Sequence, residues 1–284
     1  MKVVWSASAS MNALLSMRGR KEANFLRILM VGDVVGRSGR YFFMERTPEL
    51  KQQLKLDMVV VNGENAAHGK GLTPGIFDEL IRGGADVVTT GNHIWDNSTV
   101  LQIIDTEPFL LRPANYPEDT PGKGFCIYPV GKKSVGVINM AGRIFMQPPM
   151  DDPFRLAEKI IRNLKKNCDV ILVDFHAEAT SEKLAFAHYF DGQVTAVVGT
   201  HTHVQTADDK ILPKGTAYIT DLGMVGAENS ILGMEIEPVI KRFITGRPSK
   251  FEVAEGAAVY CALLIEIDNK TNRASRVKRI LIKP

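Results

Sequence analysis

Ile28-Leu29-Met30-Val31-Gly32-Asp33 sets four adjacent apolar side chains before a glycine and a carboxylate. A strand with one wet face alternates apolar with polar residues, so an unbroken apolar run reads as a strand buried on both faces. Working outward, the same pattern recurs. Met58 to Val61 runs into Asn62-Gly63-Glu64-Asn65, Asp86 to Thr90 into Gly91-Asn92-His93, Val170 to Phe175 into His176, and Val194 to Gly199 into Thr200-His201-Thr202-His203. Further strand-like runs cover Val135 to Asn139 and Thr216 to Thr220. Between the runs, Pro74 to Arg82, Val100 to Asp105 and Asp152 to Lys166 carry helical spacing, and Thr73-Pro74 offers an N-cap with proline in the first turn. This alternation predicts an α/β chain with crossover helices on a mainly parallel sheet. Two closing strands, Val259 to Ile267 and Arg276 to Ile282, flank a turn at Asp268 to Asn272. Arg112 to Gly124 and Arg143 to Pro153 are rich in turn-forming residues and read as ordered loops near the site.

The composition bounds this reading. With 284 residues, 45% hydrophobic and 24% charged, the chain matches one large α/β domain. A net charge of +3 is too small to require a polyanionic partner. Cys126, Cys168 and Cys261 are far apart and lack metal-ligand spacing, so they read as free thiols in a reducing, cytoplasmic compartment. No run reaches the roughly eighteen apolar residues of a transmembrane helix, and no membrane partner is expected. Ser6, Ser8, Ser10 and Asn12 break the apolar stretch near the start, so residues 1–25 read as a disordered N-terminal extension rather than a signal peptide, with Met17 as an alternative start.

Four of the six histidines close three of these segments: His93, His176, and the pair His201 and His203. In open α/β sheets, sites form outside the carboxyl ends of strands, where Asp33, Glu64, Asn65 and Asn92 also fall. Imidazole with carboxylate and carboxamide oxygen, and no thiolate, suits iron, manganese or zinc, and the donors are enough for two ions. Such a pair, about 3.5 to 4 Å apart, can hold a hydroxide and clamp both oxygens of an in-line displacement at phosphorus. Glu64 is the candidate bridge. His93, next to Asn92, is a candidate proton donor or stabiliser of the charged phosphorus centre, with Asp96 as a partner that orients it. Asn65 is a candidate ligand, weighed against a turn residue at positive φ. His68-Gly69-Lys70-Gly71 lacks the phosphate-loop spacing and reads as an active-site loop, with His68 and Lys70 as substrate contacts. Arg112 and Asn115 are either substrate contacts or loop hydrogen-bonding residues. Thr180 to Lys183 reads as a helix start, and His188 as structural.

Gly91-Asn92-His93 and Gly199-Thr200-His201-Thr202-His203 resemble two signature blocks of the calcineurin-like metallophosphoesterases. Adding Gly32 to Gly36, Asn62 to Gly71, Gly91 to Asp96, Arg112 to Asn115 and Asp174 to Lys183, the chain resembles the YmdB family of bacterial enzymes from about Leu26 onward. The resemblance implies a four-layer α/β/β/α sandwich over residues 26–284 and a dinuclear centre of two divalent metals, iron and/or manganese. It implies phosphodiesterase activity on a small cyclic nucleotide, 3',5' or 2',3', and a homo-oligomer. It assigns Asp33 and His203 to one metal, Asn92, His176 and His201 to the other, Glu64 between them with Asn65 beside it, and His93 to catalysis. Val35 departs from the wider superfamily, which has a histidine ligand there, and Glu64-Asn65 departs from its bridging aspartate. The alternatives are a phosphomonoesterase or nuclease on the same centre, and a regulatory factor that binds RNA or a protein and hydrolyses diesters incidentally.

Overall fold

The computed structural model describes residues 25–284; apart from Phe25, the expected N-terminal extension lies outside the described residues. Two six-stranded sheets stack face to face. In the first, β1 (Phe25–Val34), β2 (Met58–Asn62) and β3 (Val87–Thr89) run parallel. β10 (Met224–Ala227) runs parallel to the end of β1, and β11 (Ala258–Asp268) and β12 (Ala274–Ile282) close the sheet antiparallel. In the second, β5 (Lys133–Ala141), β6 (Val170–His176), β7 (Ala196–Thr200) and β9 (Ala217–Ile219) are parallel. The antiparallel β4 (Phe125–Val130) and β8 (Lys210–Ile211) form its edges.

The apolar runs explain the layering. Successive side chains of a strand point to opposite faces. Ile28, Met30, Met58 and Val60 therefore meet Val137, Leu172 and Val198 between the sheets. Leu29, Val31, Val59 and Val61 turn outward onto Phe43, Leu50, Phe77 and Leu80 of α1 (Gly36–Leu54) and α2 (Pro74–Arg82). On the far side Ile138, Ile171 and Val173 meet Ala157, Ile161 and Phe186 of α3 (Pro153–Leu164) and α4 (Thr180–Tyr189). The result is the α/β/β/α sandwich. α5 (Ile236–Thr245) lies in the excursion between β10 and β11 and buries only Val239.

The single mainly parallel sheet read from the residues is corrected to two sheets: both faces of each strand are apolar because one meets helices and the other meets the second sheet. Val100 to Asp105 is likewise corrected. A 3-10 turn, Ser98–Gln102, replaces the expected helix and is capped by Asn97, whose Oδ1 accepts from Thr99 N. The Thr73 cap is present, with Oγ1 accepting from Ile76 N at 3.3 Å. The turn at Asp268 to Asn272 forms around Asp268 Oδ1, which accepts from Lys270 N and Thr271 N.

Candidate metal centre

The candidate ligands leave the carboxyl ends of strands in both sheets. Asp33, Glu64, Asn65 and Asn92 come from β1, β2 and β3, and His176, His201 and His203 from β6 and β7. The register of β1 against β2 slips between Val31 and Asp33. This bulge at Gly32 re-aims the Asp33 side chain.

Each of the three histidines turns one ring nitrogen to a partner away from the centre. His176 Nδ1 donates to Thr200 Oγ1 at 2.9 Å, since that hydroxyl itself donates to Asp174 Oδ1 at 2.6 Å. His201 Nε2 faces Glu178 Oε2 at 3.2 Å, and His203 Nδ1 donates to the Leu232 carbonyl at 2.9 Å. In the neutral rings the remaining lone pairs belong to His176 Nε2, His201 Nδ1 and His203 Nε2, the orientation that outer hydrogen bonds impose on metal-binding imidazoles.

Those lone pairs converge. His176 Nε2 lies 3.0 Å from Glu64 Oε1, 3.1 Å from Asn92 Oδ1 and 3.0 Å from His201 Nδ1. Glu64, His176 and His201 offer donor atoms that all lie within 4.8 Å of one another. Asp33 Oδ1 is buried without a hydrogen-bond partner, 3.9 Å from His203 Nε2, while Oδ2 accepts from His201 N at 3.2 Å. Asn65 Nδ2 bridges Glu64 Oε1 at 3.2 Å and His203 Nε2 at 3.1 Å. Gly91 leaves the space open: a Cβ there would fall 2.2 Å from Glu64 Oε2 and 2.3 Å from His176 Nε2.

Several acceptors around one point repel unless a cation lies among them. As protein groups alone they share protons. Burial works to raise Glu64, but the facing His176 ring takes its carboxyl down to about 2. Burial works to lower His176, but Glu64 carries it up to about 9. Burial pushes Asp33 up to about 7, and burial with the charge of His176 pushes His201 down to about 3. A divalent cation replaces the shared proton and satisfies all the donors at once, so these residues fit a metal.

His93 Nδ1 sits 3.0 Å from Asp96 Oδ2, and its backbone N–H donates to Glu64 Oε2 at 3.1 Å. Lys70 reaches to 3.8 Å from the same Asp96 oxygen, which places the His68 to Gly71 loop beside His93. Arg112 and Asn115 follow the loop alternative. The Arg112 guanidinium donates to the carbonyls of Pro113, Thr120 and Pro121, and Asn115 pairs with both polar atoms of the Ala141 backbone and with the Asp151 carbonyl. These are the bonds that the loop alternative expects of both residues. His188 lies on the exposed side of α4.

Four residues escaped the sequence reading. Asp174, on β6, accepts from Thr89 Oγ1, Thr200 Oγ1 and Asn62 Nδ2 and so joins the two sheets beneath the cluster; burial still pushes its carboxyl upward. A charge inside an apolar run was its signal. Asp221, just past a strand, occupies the same kind of position as the ligands. Glu178 stood in the His176 segment unassigned. Lys183 carried no signal, because a lysine at the start of a helix reads as solvated.

The profile of the family described as YmdB-like protein matches residues 29–280. The chain belongs to the YmdB-like family. A relative from Bacillus subtilis (strain 168), a 2',3'-cyclic-nucleotide 2'-phosphodiesterase, is 54% identical over 257 residues, covering 90% of this chain and 97% of that one. The crystal structure of a hypothetical protein from Thermus thermophilus superposes with a TM-score of 0.86 at 43% identity, covering 91% of this chain and all of that one. A novel phosphatase from Mycoplasma pneumoniae gives 0.87 at 36%, covering 92% and 94%. This member of the YmdB-like family is a metallophosphoesterase. Among the described residues no helix is long and apolar enough to cross a membrane.

Proposed function

We propose that this chain is a two-metal phosphodiesterase that opens cyclic nucleotides to monophosphates, with 2',3'-cyclic substrates first because the Bacillus subtilis relative is named for them. The observation that carries the reading is the convergence of imidazole lone pairs and carboxylate oxygens on one buried point, with every outer ring nitrogen facing a partner of its own. Asp33 and His203 would hold one ion and Asn92, His176 and His201 the other, with Glu64 shared by the two sets and Asn65 beside it. Iron and manganese suit this donor set. Two such cations supply Lewis-acid polarisation of the phosphoryl oxygens and acidify water at neutral pH.

The chain's own residues do the rest. Water adds to phosphorus and gives up a proton to solvent, one ester bond to the ribose breaks, and the departing alkoxide takes a proton. His93 gives that proton from Nε2 and regains it from solvent, because Asp96 accepts from Nδ1 and leaves Nε2 for the substrate. Lys70, which reaches toward the Asp96 carboxylate, and His68 of the same loop are the proposed contacts for the anionic substrate.

The test is initial-rate hydrolysis of 2',3'-cAMP, 3',5'-cAMP, a linear diester and a monoester by protein loaded anaerobically with Fe(II) or Mn(II), beside Asn92→Ala. The reading expects cyclic diesters to turn over fastest and the variant to lose turnover. A faster linear diester or monoester would overturn the cyclic substrate, and a fully active variant would overturn the assigned centre.

A further inference from the structure

We propose that the buried Lys183–Asp221 pair is the positioning device of this centre, fixing the backbones that carry Asp33, His201 and His203 against the helix that follows His176; the inference rests on the two-metal reading above. Neither side chain is exposed to solvent, and Lys183 Nζ lies 2.8 Å from Asp221 Oδ2. The same Oδ2 accepts from Thr202 N at 3.0 Å, and Oδ1 accepts from Gly223 N at 2.8 Å. Thr202 stands between the two histidines, which are both held at positive φ, 104° for His201 and 65° for His203. Side chains keep such conformations only where their surroundings impose them. Gly223 in turn accepts Asp33 N on its carbonyl at 3.0 Å, and Asp33 Oδ2 accepts from His201 N. One carboxylate thus closes a ring of hydrogen bonds through the β1 and β7 ligand segments. Lys183 links that ring to α4, and its stem packs on Gly199, where an added Cβ would meet Lys183 Cδ at 2.9 Å.

An apolar pair of similar volume would fill this space at no cost to packing. It would not accept from two backbone amides. The charged pair is therefore explained by the loops it holds, and it acts on the ions through those loops rather than by contact.

The experiment titrates the full chain with Mn(II) alone, by calorimetry and by electron paramagnetic resonance. It compares wild type, Lys183→Met/Asp221→Asn, Lys183→Met/Asp221→Leu, and, as a destabilised control, Tyr260→Phe, which removes a buried hydrogen bond to Thr47 on the helix side of the first sheet. Both double variants remove the two charges together, so neither leaves one buried alone. The Asn side chain keeps one acceptor for the amides, and the Leu side chain none. With circular dichroism unchanged, affinity for the weaker ion is expected to fall in that order, by about 10- to 100-fold. The spin-coupled signal of the Mn(II) pair should fade with it, and the control should keep both. If the Leu variant does not fold, the Asn variant decides alone. Folded double variants that bind two ions with wild-type affinity and coupling would overturn the proposal. Wild type saturating at one Mn(II) would overturn the two-metal reading, and the proposal with it, before any variant is compared.

Discussion

His93 and Gly91 show how much of this site is decided one residue at a time. The His93 ring stands at the mouth of the cluster with its Nδ1 committed to Asp96, while its backbone N–H, which any residue supplies, donates to Glu64. His93→Ala should therefore lower kcat by about 10²- to 10⁴-fold and leave metal content unchanged, as measured by elemental analysis beside steady-state rates. Gly91→Ala should do the reverse in order of cause. Its methyl would occupy the space between Glu64 Oε2 and His176 Nε2, so metal uptake should fail first, activity should fall with it, and circular dichroism should remain that of wild type. Such residues were legible because their chemistry is local: an acceptor-bearing side chain after a buried strand has few other uses. Arg112 and Asn115 were not, since a guanidinium or carboxamide in a loop serves backbone carbonyls as readily as phosphate.

Among the elements, the return from β7 to β9 is held by Asp208. Its Oδ1 accepts from Thr206 Oγ1 at 2.7 Å and from Thr220 N at 3.1 Å, and Oδ2 accepts from the Thr220 hydroxyl. Burial works to raise this carboxyl, but the threonine donors outweigh it and hold it below its ordinary 3.8. A group whose folded pKa is depressed stabilises the fold above its unfolded pKa and loses that contribution as pH falls through the folded value. Asp208→Asn should thus melt below wild type at pH 7, and the gap should close in acid, beneath the ordinary carboxylate range. A gap that stayed constant with pH would contradict the assignment. Helix and strand limits were mostly legible at this scale, but α1 was passed over. It contains Pro48 and has no side-chain N-cap, so the usual signs are missing where packing of Phe43 and Leu50 on the first sheet supplies the stability.

The whole molecule depends on two sheets docking in one register, and Asp174 makes polar contacts that cross between them. It serves Asn62 and Thr89 of the first sheet and Thr200 of its own, and Thr200 orients His176. Asp174→Ala removes three hydrogen bonds to one buried carboxylate and leaves the Thr200 hydroxyl without its acceptor, which should cost about 3 kcal/mol or more. A fall in Tm of roughly 6 to 12 °C should follow in a scanning melt, together with weaker metal binding. Unbroken apolar runs, each ending in a donor residue, determined from the sequence alone that the strands are buried on both faces and that a candidate metal site gathers at their carboxyl ends. Burial is a property of each strand, and donor chemistry a property of each side chain. The sequence did not determine which face meets a helix and which meets the second sheet, nor that Lys183 and Asp221 would be buried together behind the histidine loop. Those depend on contacts between residues distant along the chain, and only the docking of the two sheets brings them within hydrogen-bonding reach.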